Sequence, residues 1–319
     1  MDQNTEVRVE DAGAGGGIRF RGDTIVDGRT GDVLGRIGLE HGILTFEVVP
    51  EFRGRGVATT AVREFSRAML TRRDRLEIRI EWENPVAQRV ALAAGYTRES
   101  VRRGHPELLV YSRLADDPET PALRLLPDLP GGELSDGVVT LRPLGEQDID
   151  FYTELHNVPD VIATSVPPEP KSAEEIRRRC ARAQAHWLAG DRADLVILDC
   201  ATGARAGEIG LYYQEPPTGQ AMIGYSMLPA YRKKGFASRA AQLLALWAFA
   251  ETGIARLIAG TLPTNTGSQR VLEKAGFTRE AYLRSRLPGP DGTRNDDVQY
   301  VLLAGDLLAQ ASGGSASHT

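Results

Sequence analysis

A short pattern occurs twice in this chain and constrains its fold more than any other feature. The first copy reads Val48-Val49-Pro50-Glu51-Phe52-Arg53-Gly54-Arg55-Gly56-Val57-Ala58-Thr59. The second reads Met227-Leu228-Pro229-Ala230-Tyr231-Arg232-Lys233-Lys234-Gly235-Phe236-Ala237-Ser238. Each is the apolar end of a strand, a proline, an aromatic residue, a basic turn containing glycine, and a helix start. Such a turn leaves backbone N–H groups unpaired at a helix end that carries partial positive charge. That end is suited to a phosphate or pyrophosphate, and glycine lets a ligand approach the backbone.

One basic, glycine-containing turn would be a weak signal, but its downstream partner is repeated too. After a helix and a strand come Asn84-Pro85-Val86-Ala87 through Gly95-Tyr96, and Asn265-Thr266-Gly267-Ser268 through Gly276-Phe277. Pro50 and Pro229, like Gly56 and Gly235, are 179 positions apart; Asn84 and Asn265, like Gly95 and Gly276, are 181 apart. Self-similarity at so long a period means duplicated domains, not a solenoid of short units.

At these residues the chain resembles the GNAT superfamily of acyl-CoA-dependent N-acyltransferases. The family signature Arg/Gln-x-x-Gly-x-Gly/Ala is matched by Arg53, Gly56 and Ala58, and again by Arg232, Gly235 and Ala237. The Leu141-Arg142-Pro143-Leu144 opening, Gly224-Tyr225 and the Asn265 to Phe277 segment resemble the branch containing the ribosomal-protein-alanine N-acetyltransferases. The resemblance implies an α/β chain with two such domains in tandem, each a mixed, mostly antiparallel sheet flanked by helices. It implies acetyl-CoA, or another acyl-CoA, as co-substrate. The residues expected to hold it are Met227, Leu228, Arg232, Lys233, Lys234, Gly235, Phe236, Ala237, Ser238 and Asn265. Their first-copy counterparts are Val48, Val49, Arg53, Gly54, Arg55, Gly56, Val57, Ala58 and Asn84. The acceptor implied is an amine on a small molecule, a peptide or a protein N-terminus.

The 319 residues suffice for two ordinary domains. A net charge of −5 argues against general nucleic-acid binding. No apolar run approaches a membrane span and no signal peptide is read at the start, so a cytoplasmic location is expected by elimination. Cys180 and Cys200 suggest no disulfide framework. His41, His105, His156, His186 and His318 show no metal spacing and read as surface or core residues. A monomer built as an intramolecular pseudo-dimer, or a homodimer, fits a duplicated chain.

Residues 1–17 read as a disordered lead-in and 311–319 as a disordered tail. A first domain is expected over 18–114, a Pro-rich linker over 115–137 and a second domain over 138–310. In the first, Asp27-Gly28 and Thr30-Gly31-Asp32 mark turns between strands. Val57, Ala61, Phe65 and Met69 line one face of a helix. Only a short segment precedes the first motif, so this domain reads as a shortened copy lacking an initial strand and two helices that shape the acceptor site. In the second, Ser172 and Glu175 form a capping box, and Glu146 to Asn157 reads as a helix.

The chemistry implied is attack of a neutral amine on a thioester. Neutralising an amine of pKa about 10.4 at pH 7 costs about 4–5 kcal/mol, against about 1–1.5 for an α-amino group, so a base matters most for a side-chain amine. Glu208 is the first candidate; Asp296 and Asp297 are second. A backbone N–H near Met227 or Leu228 would face the oxyanion. The tyrosine that many members carry seven residues after the Asn is Leu272 here and Ala91 in the first copy. Ser268 is the hydroxyl that the resemblance offers instead, with Ala87 at that place in the first copy. Tyr225 would bound the pocket. The expectation is therefore catalysis in the second domain, with the first domain structural or CoA-binding. Catalysis in the first domain and a non-catalytic acyl-CoA sensor are the alternatives.

Overall fold

The computed structural model describes residues 17–307, which divide into two units at Leu123/Arg124. The expected lead-in up to residue 16 and the tail from 311 lie outside the described residues. In the first unit come β1 (Ile18–Arg21), β2 (Thr24–Asp27), β3 (Val33–Glu40), β4 (Ile43–Val48), α1 (Val57–Leu70), β5 (Arg75–Glu81), α2 (Pro85–Ala93), β6 (Thr97–Arg102) and β7 (Leu108–Leu114). The second has β8 (Leu134–Ser135), β9 (Val139–Pro143), α3 (Ile149–His156), α4 (Pro159–Thr164), α5 (Ala173–Leu188), β10 (Arg192–Asp199), β11 (Arg205–Glu215) and β12 (Gln220–Met227). It continues with α6 (Phe236–Glu251), β13 (Arg256–Thr261), α7 (Thr266–Lys274), β14 (Thr278–Pro288) and β15 (Arg294–Leu303).

The first sheet has the order β1-β2-β3-β4-β5-β7-β6, and the second, read from β8, has β8-β9-β10-β11-β12-β13-β15-β14. The seven strands of the first therefore match β9 to β15 one for one. Both sheets are antiparallel except where the motif strand meets the next strand, β4 with β5 and β12 with β13. The first unit thus keeps an initial strand, contrary to expectation. Its β1 turns into β2 through Gly22-Asp23, where the second unit inserts α3, α4 and α5 between β9 and β10.

The alternation of residues explains why one unit does without those helices. In β3, β4 and β5 the side chains facing α1 and α2 are apolar: Ile37, Leu44, Val48, Leu76, Ile78 and Ile80 are buried. The opposite face carries Arg36, Thr45, Glu47, Glu77, Arg79 and Glu81, which are exposed or half-buried. A charged face is stable in water and needs no second layer. In the second unit both faces are covered. α6 packs Ala240, Ala241, Leu244, Trp247 and Ala248 against Leu195, Ile209, Leu211, Ile223 and Leu257. Phe151, Leu155, Val161, Ile176 and Cys180 of α3, α4 and α5 gather around Val196 on the other face. Burial pushes the Cys180 thiol up to about 12, as befits a packing residue.

Residues 115–137 are not a free tether. Ala122 N–H donates to Leu92 O (2.8 Å) in the first unit. Leu126 and Leu129 are buried in the core of the second, where Trp187 Nε1 donates to Pro127 O (2.9 Å). These leucines bury apolar area that a solvated linker would expose. The capping box forms: Ser172 Oγ accepts from Glu175 N–H (3.2 Å) and Glu175 accepts from Ser172 N–H (2.8 Å). Edge strands β6 and β14 and the short helix α4 were not legible in the sequence.

One buried carboxylate ties the start of the second unit together. Asp148, with no exposed side-chain surface, accepts from Arg142 at 2.7 and 2.7 Å and from Arg205 at 2.7 Å. Burial pushes its carboxyl up, but the two guanidiniums outweigh this and hold it below the usual carboxylate value. Replacing Asp148 by Ala leaves two guanidiniums unpaired and should cost about 3 kcal/mol in a denaturant titration. Because its folded pKa is depressed, the contribution is present above the unfolded value of about 3.9 and lost as pH falls through the folded one. The wild-type and Asp148→Ala stabilities should therefore converge in acid.

Candidate active site

The two parallel strands of the second unit stay paired only from Gln220–Arg256 to Met222–Ile258, and then part. β12 runs on to Met227 and β13 to Thr261, so a wedge opens between them. In the first unit the corresponding pairing is a single contact, Ile43–Glu77. Strand N–H groups alternate in direction. Leu228 N–H donates to Ala206 O (3.0 Å) and Val49 N–H to Leu34 O (2.9 Å), both away from the wedge. Leu228 and Val49 therefore cannot supply the expected oxyanion contact. The N–H groups of Met227 and Val48 point the other way, towards the opening.

At the head of each wedge lies the motif turn. Gly235 precedes α6 at φ 83° and Gly56 precedes α1 at φ 78°, a left-handed conformation that favours glycine. Arg239 N–H is the first to bond back along α6, to Gly235 O (3.1 Å), and Thr60 N–H does the same to Gly56 O (3.0 Å). The N–H groups of Phe236, Ala237 and Ser238, and of Val57, Ala58 and Thr59, are thus left without a helical acceptor. A Cβ added at Gly235 or Gly56 would meet no atom within 4 Å, so both turns are open on that side. Lys233 (φ 60°) takes the conformation that Gly54 (φ 71°) takes in the first copy, at a cost of about 1 kcal/mol.

The motif arginines shape these turns instead of offering donors to an anion. Arg232 Nε and Nη2 donate to Met227 O (3.1 and 2.9 Å), and its guanidinium pairs with Asp160 at the start of α4. Its own N–H bonds Pro229 O (3.3 Å). Arg53 donates likewise to Val48 O (3.0 Å) and to Pro50 O (3.2 Å). Lys234 lies over the Tyr231 ring at 5.2 Å, as Arg55 lies over Phe52 at 5.6 Å. Asn265 and Asn84 are helix caps: their Oδ1 atoms accept from Ser268 N–H (3.1 Å) and Ala87 N–H (3.0 Å).

Below the second turn, the parted strands open into a cleft of about 600 Å³. Glu208 reaches it from β11, opposite Ser226 of β12. Its Oε1 lies 3.1 Å from His156 Nε2 on α3. Burial pushes the Glu208 carboxyl up, but His156, a hydrogen bond with Tyr152 and the Arg179 charge outweigh it and hold the group below its ordinary value. Glu208 is therefore ionised at neutral pH. Asp297 also lines the cleft, from β15, with 3% of its side chain exposed; burial pushes its carboxyl up against the pull of Arg286 at 3.6 Å. Asp296 is turned elsewhere and accepts from Tyr282 Oη (2.6 Å) and Ser285 N–H (2.7 Å), so it is not a base in this cleft.

Tyr225 and Ser268 meet across the wedge. The Tyr225 hydroxyl donates to Ser268 O (3.1 Å) and lies 2.9 Å from Ser268 Oγ, which is free to donate to it. Leu272, where the resemblance would place a tyrosine, is buried in the core, and the phenol beside Ser268 belongs to Tyr225 of β12. His156 was read from sequence as an ordinary surface or core residue. The signal available was its placement four residues after Tyr152 on one helix face; the two ring centroids lie 4.3 Å apart with their planes tilted by 51°. Burial raises the Tyr225 phenol well above the ordinary range. The difference between the alkaline ultraviolet titrations of the wild type and Tyr225→Phe should accordingly show no phenolate from this residue at pH about 10.

Comparison with known proteins agrees with this geometry. Residues 139–278 match the family model described as the Acetyltransferase (GNAT) domain. A curated relative is the probable N-acetyltransferase YjcK of Bacillus subtilis, 43% identical over 67 residues that cover 21% of this chain and 37% of the relative. The FsC-acetyl coenzyme A-N(2)-transacetylase of Aspergillus fumigatus is 24% identical over 181 residues, 53% of this chain and 74% of the relative. The chain spans 37–54% of the length of the Bacillus relatives it matches. Among solved structures, Mycobacterium smegmatis RimJ in complex with CoA-disulfide shares the fold at TM-score 0.50 and 21% identity, over 57% of this chain and 93% of that one. The second unit, with its motif turn, parted strands and cleft, is a GNAT acetyltransferase domain.

Proposed function

We propose that the second unit transfers an acetyl group, or a longer acyl group, from acyl-CoA to a primary amine by direct attack, and that the first unit is a structural or CoA-binding copy. One observation carries the assignment between units. The strand registers put Arg36 opposite Glu47 where Glu208 stands opposite Ser226. The repeat puts Phe46 at the place of Tyr225, and Ala87 at that of Ser268. The pairings Ile80–Leu109 and Thr261–Val298 put Leu108 at the place of Asp297. The first unit keeps the turn and has lost each chemical group of the cleft.

The open turn at Gly235 fits a pyrophosphate: the N–H groups from Lys233 to Ser238 would hold it, and no side chain intrudes there. Glu208, ionised and at the cleft, removes the amine proton directly or through one water. The amine nitrogen then bonds to the acyl carbon. Met227 N–H stabilises the oxyanion. When the carbon–sulfur bond breaks, the Tyr225 hydroxyl, coupled to Ser268, donates a hydrogen bond to the leaving thiolate, which takes its proton from water. A thiolate of pKa about 8.5 needs only modest help, so this last role contributes less than that of Glu208. The acceptor is an amine of a small molecule, a peptide or a protein N-terminus, and the expected setting is the cytoplasm.

Glu208→Gln should lower kcat by about a hundredfold or more, with CoA binding intact by calorimetric titration. Gly235→Asp places a carboxylate where the pyrophosphate would lie. It should abolish thiol release and remove one CoA site per chain, with melting temperature as the folding control. Gly56→Asp should leave turnover within about twofold. Loss of turnover in Gly56→Asp with retention in Gly235→Asp would transfer the chemistry to the first unit. A tight CoA complex without transfer to any amine would identify a sensor.

A further inference from the structure

The sheet registers place two carboxylates on one face, on opposite sides of the wedge. Glu208 pairs with Ser226. Counting outwards from Met222–Ile258 and from Thr261–Val298 brings Asp297 level with Ser226, and so with Glu208. Three strand spacings separate them, about 14 Å between backbones before the strands part. Ser226 and Leu262 lie between them on that row; on the next row of the same face Gly210, Gly224 and Gly260 line the cleft, with the Tyr212 ring packed over the first two. At Gly260 the fit is specific, because a Cβ there would come within 2.6 Å of Asp297 Oδ1.

The counter-charges around this floor are unevenly used. Asp194 has two charge partners, Arg179 at 2.6 Å and Arg192 at 3.0 Å, although its Oδ2 accepts no well-formed hydrogen bond. Glu208 has His156. Asp297 has Arg286 at 3.6 Å from Oδ2 and the backbone of Thr261, and its Oδ1 has no hydrogen-bond partner among the described residues. Arg286 is 41% exposed, so it can swing aside. Lys171 is the remaining cation on the cleft wall. A buried carboxylate oxygen without a donor is costly and calls for one.

We propose that the acceptor carries a second cationic group, as a di- or polyamine does, and that Asp297 holds its far ammonium while the reacting nitrogen lies at Glu208. The inference rests on the acyl-transfer reading above and names the substrate class of that same cleft. An incoming ammonium displaces Arg286 and supplies the donor that Oδ1 lacks; the cleft that both carboxylates line admits the chain joining the two nitrogens.

The test compares putrescine and spermidine with butylamine, γ-aminobutyrate and a tripeptide bearing a free N-terminus. Thiol release gives kcat/KM, and titration into the CoA-loaded protein gives affinity without requiring turnover. The diamines should exceed butylamine at least tenfold in both. Asp297→Asn, close in shape to the wild type, should reduce that ratio at least tenfold, whereas Asp296→Asn should not move it. Equal use of butylamine, preference for γ-aminobutyrate or for the tripeptide, or an unchanged ratio in Asp297→Asn would overturn the inference. Turnover of butylamine without diamine preference would leave the acyl-transfer reading standing. Tight diamine binding without thiol release would do the reverse.

Discussion

The site depends on two strands letting go of each other. Parallel strands hold together by hydrogen bonds along their length, and β12 and β13 give these up after Met222–Ile258. The loss frees the backbone donor of Met227, opens a cleft between the strands, and lets Tyr225 reach Ser268 on α7. The donors lost from the ladder become available to a substrate. Both strands are anchored at the closed end by their other neighbours, β11 and β15, over the full length of the parting. The opening is therefore framed by continuous strand pairing on either side. The motif arginine completes it by pinning the turn to the last strand carbonyl, Met227 O, and in the second unit to Asp160 of α4.

The duplication shows how little of such a fold is chemistry. The same seven-strand order, the same open turn and the same Asn cap occur in both units. What differs is one face of the sheet. In the first unit it is covered with charged side chains. In the second it is partly apolar, carries α3, α4 and α5, and leaves a cleft beside them. Those helices deliver Tyr152, His156 and Arg179 to the surroundings of Glu208. A carboxylate buried there without them would be pushed towards its neutral form. The helices thus keep Glu208 ionised as well as walling the cleft.

Much of this was legible in the residues. Alternation in Leu76-Glu77-Ile78-Arg79-Ile80 marked a half-buried strand, and the four-residue spacing of Ala61, Phe65 and Met69 marked a helix face, because both depend on local periodicity. The capping box at Ser172 and Glu175 was equally plain. The edge strands β6 and β14 escaped because an edge strand with few buried positions has no such period. The supposed linker hid Leu126 and Leu129, whose burial depends on a core assembled far along the chain. His156 was passed over, and Leu228 and the motif arginines were credited with donors already spent within the protein. These are questions of which atom meets which.

The sequence by itself determined that the chain is duplicated, that each copy carries a turn fit for an anion, and which copy holds the fuller set of groups for chemistry. Such properties follow from residue identity at fixed spacing. Only the tertiary structure decided that Asp297 and not Asp296 faces the cleft, that the N–H of Met227 and not that of Leu228 points to the wedge, and that the Tyr225 hydroxyl meets Ser268. Each of those choices turns on the direction of a single bond. That direction is set by strand register and by the parting of two strands, which no local stretch of residues encodes.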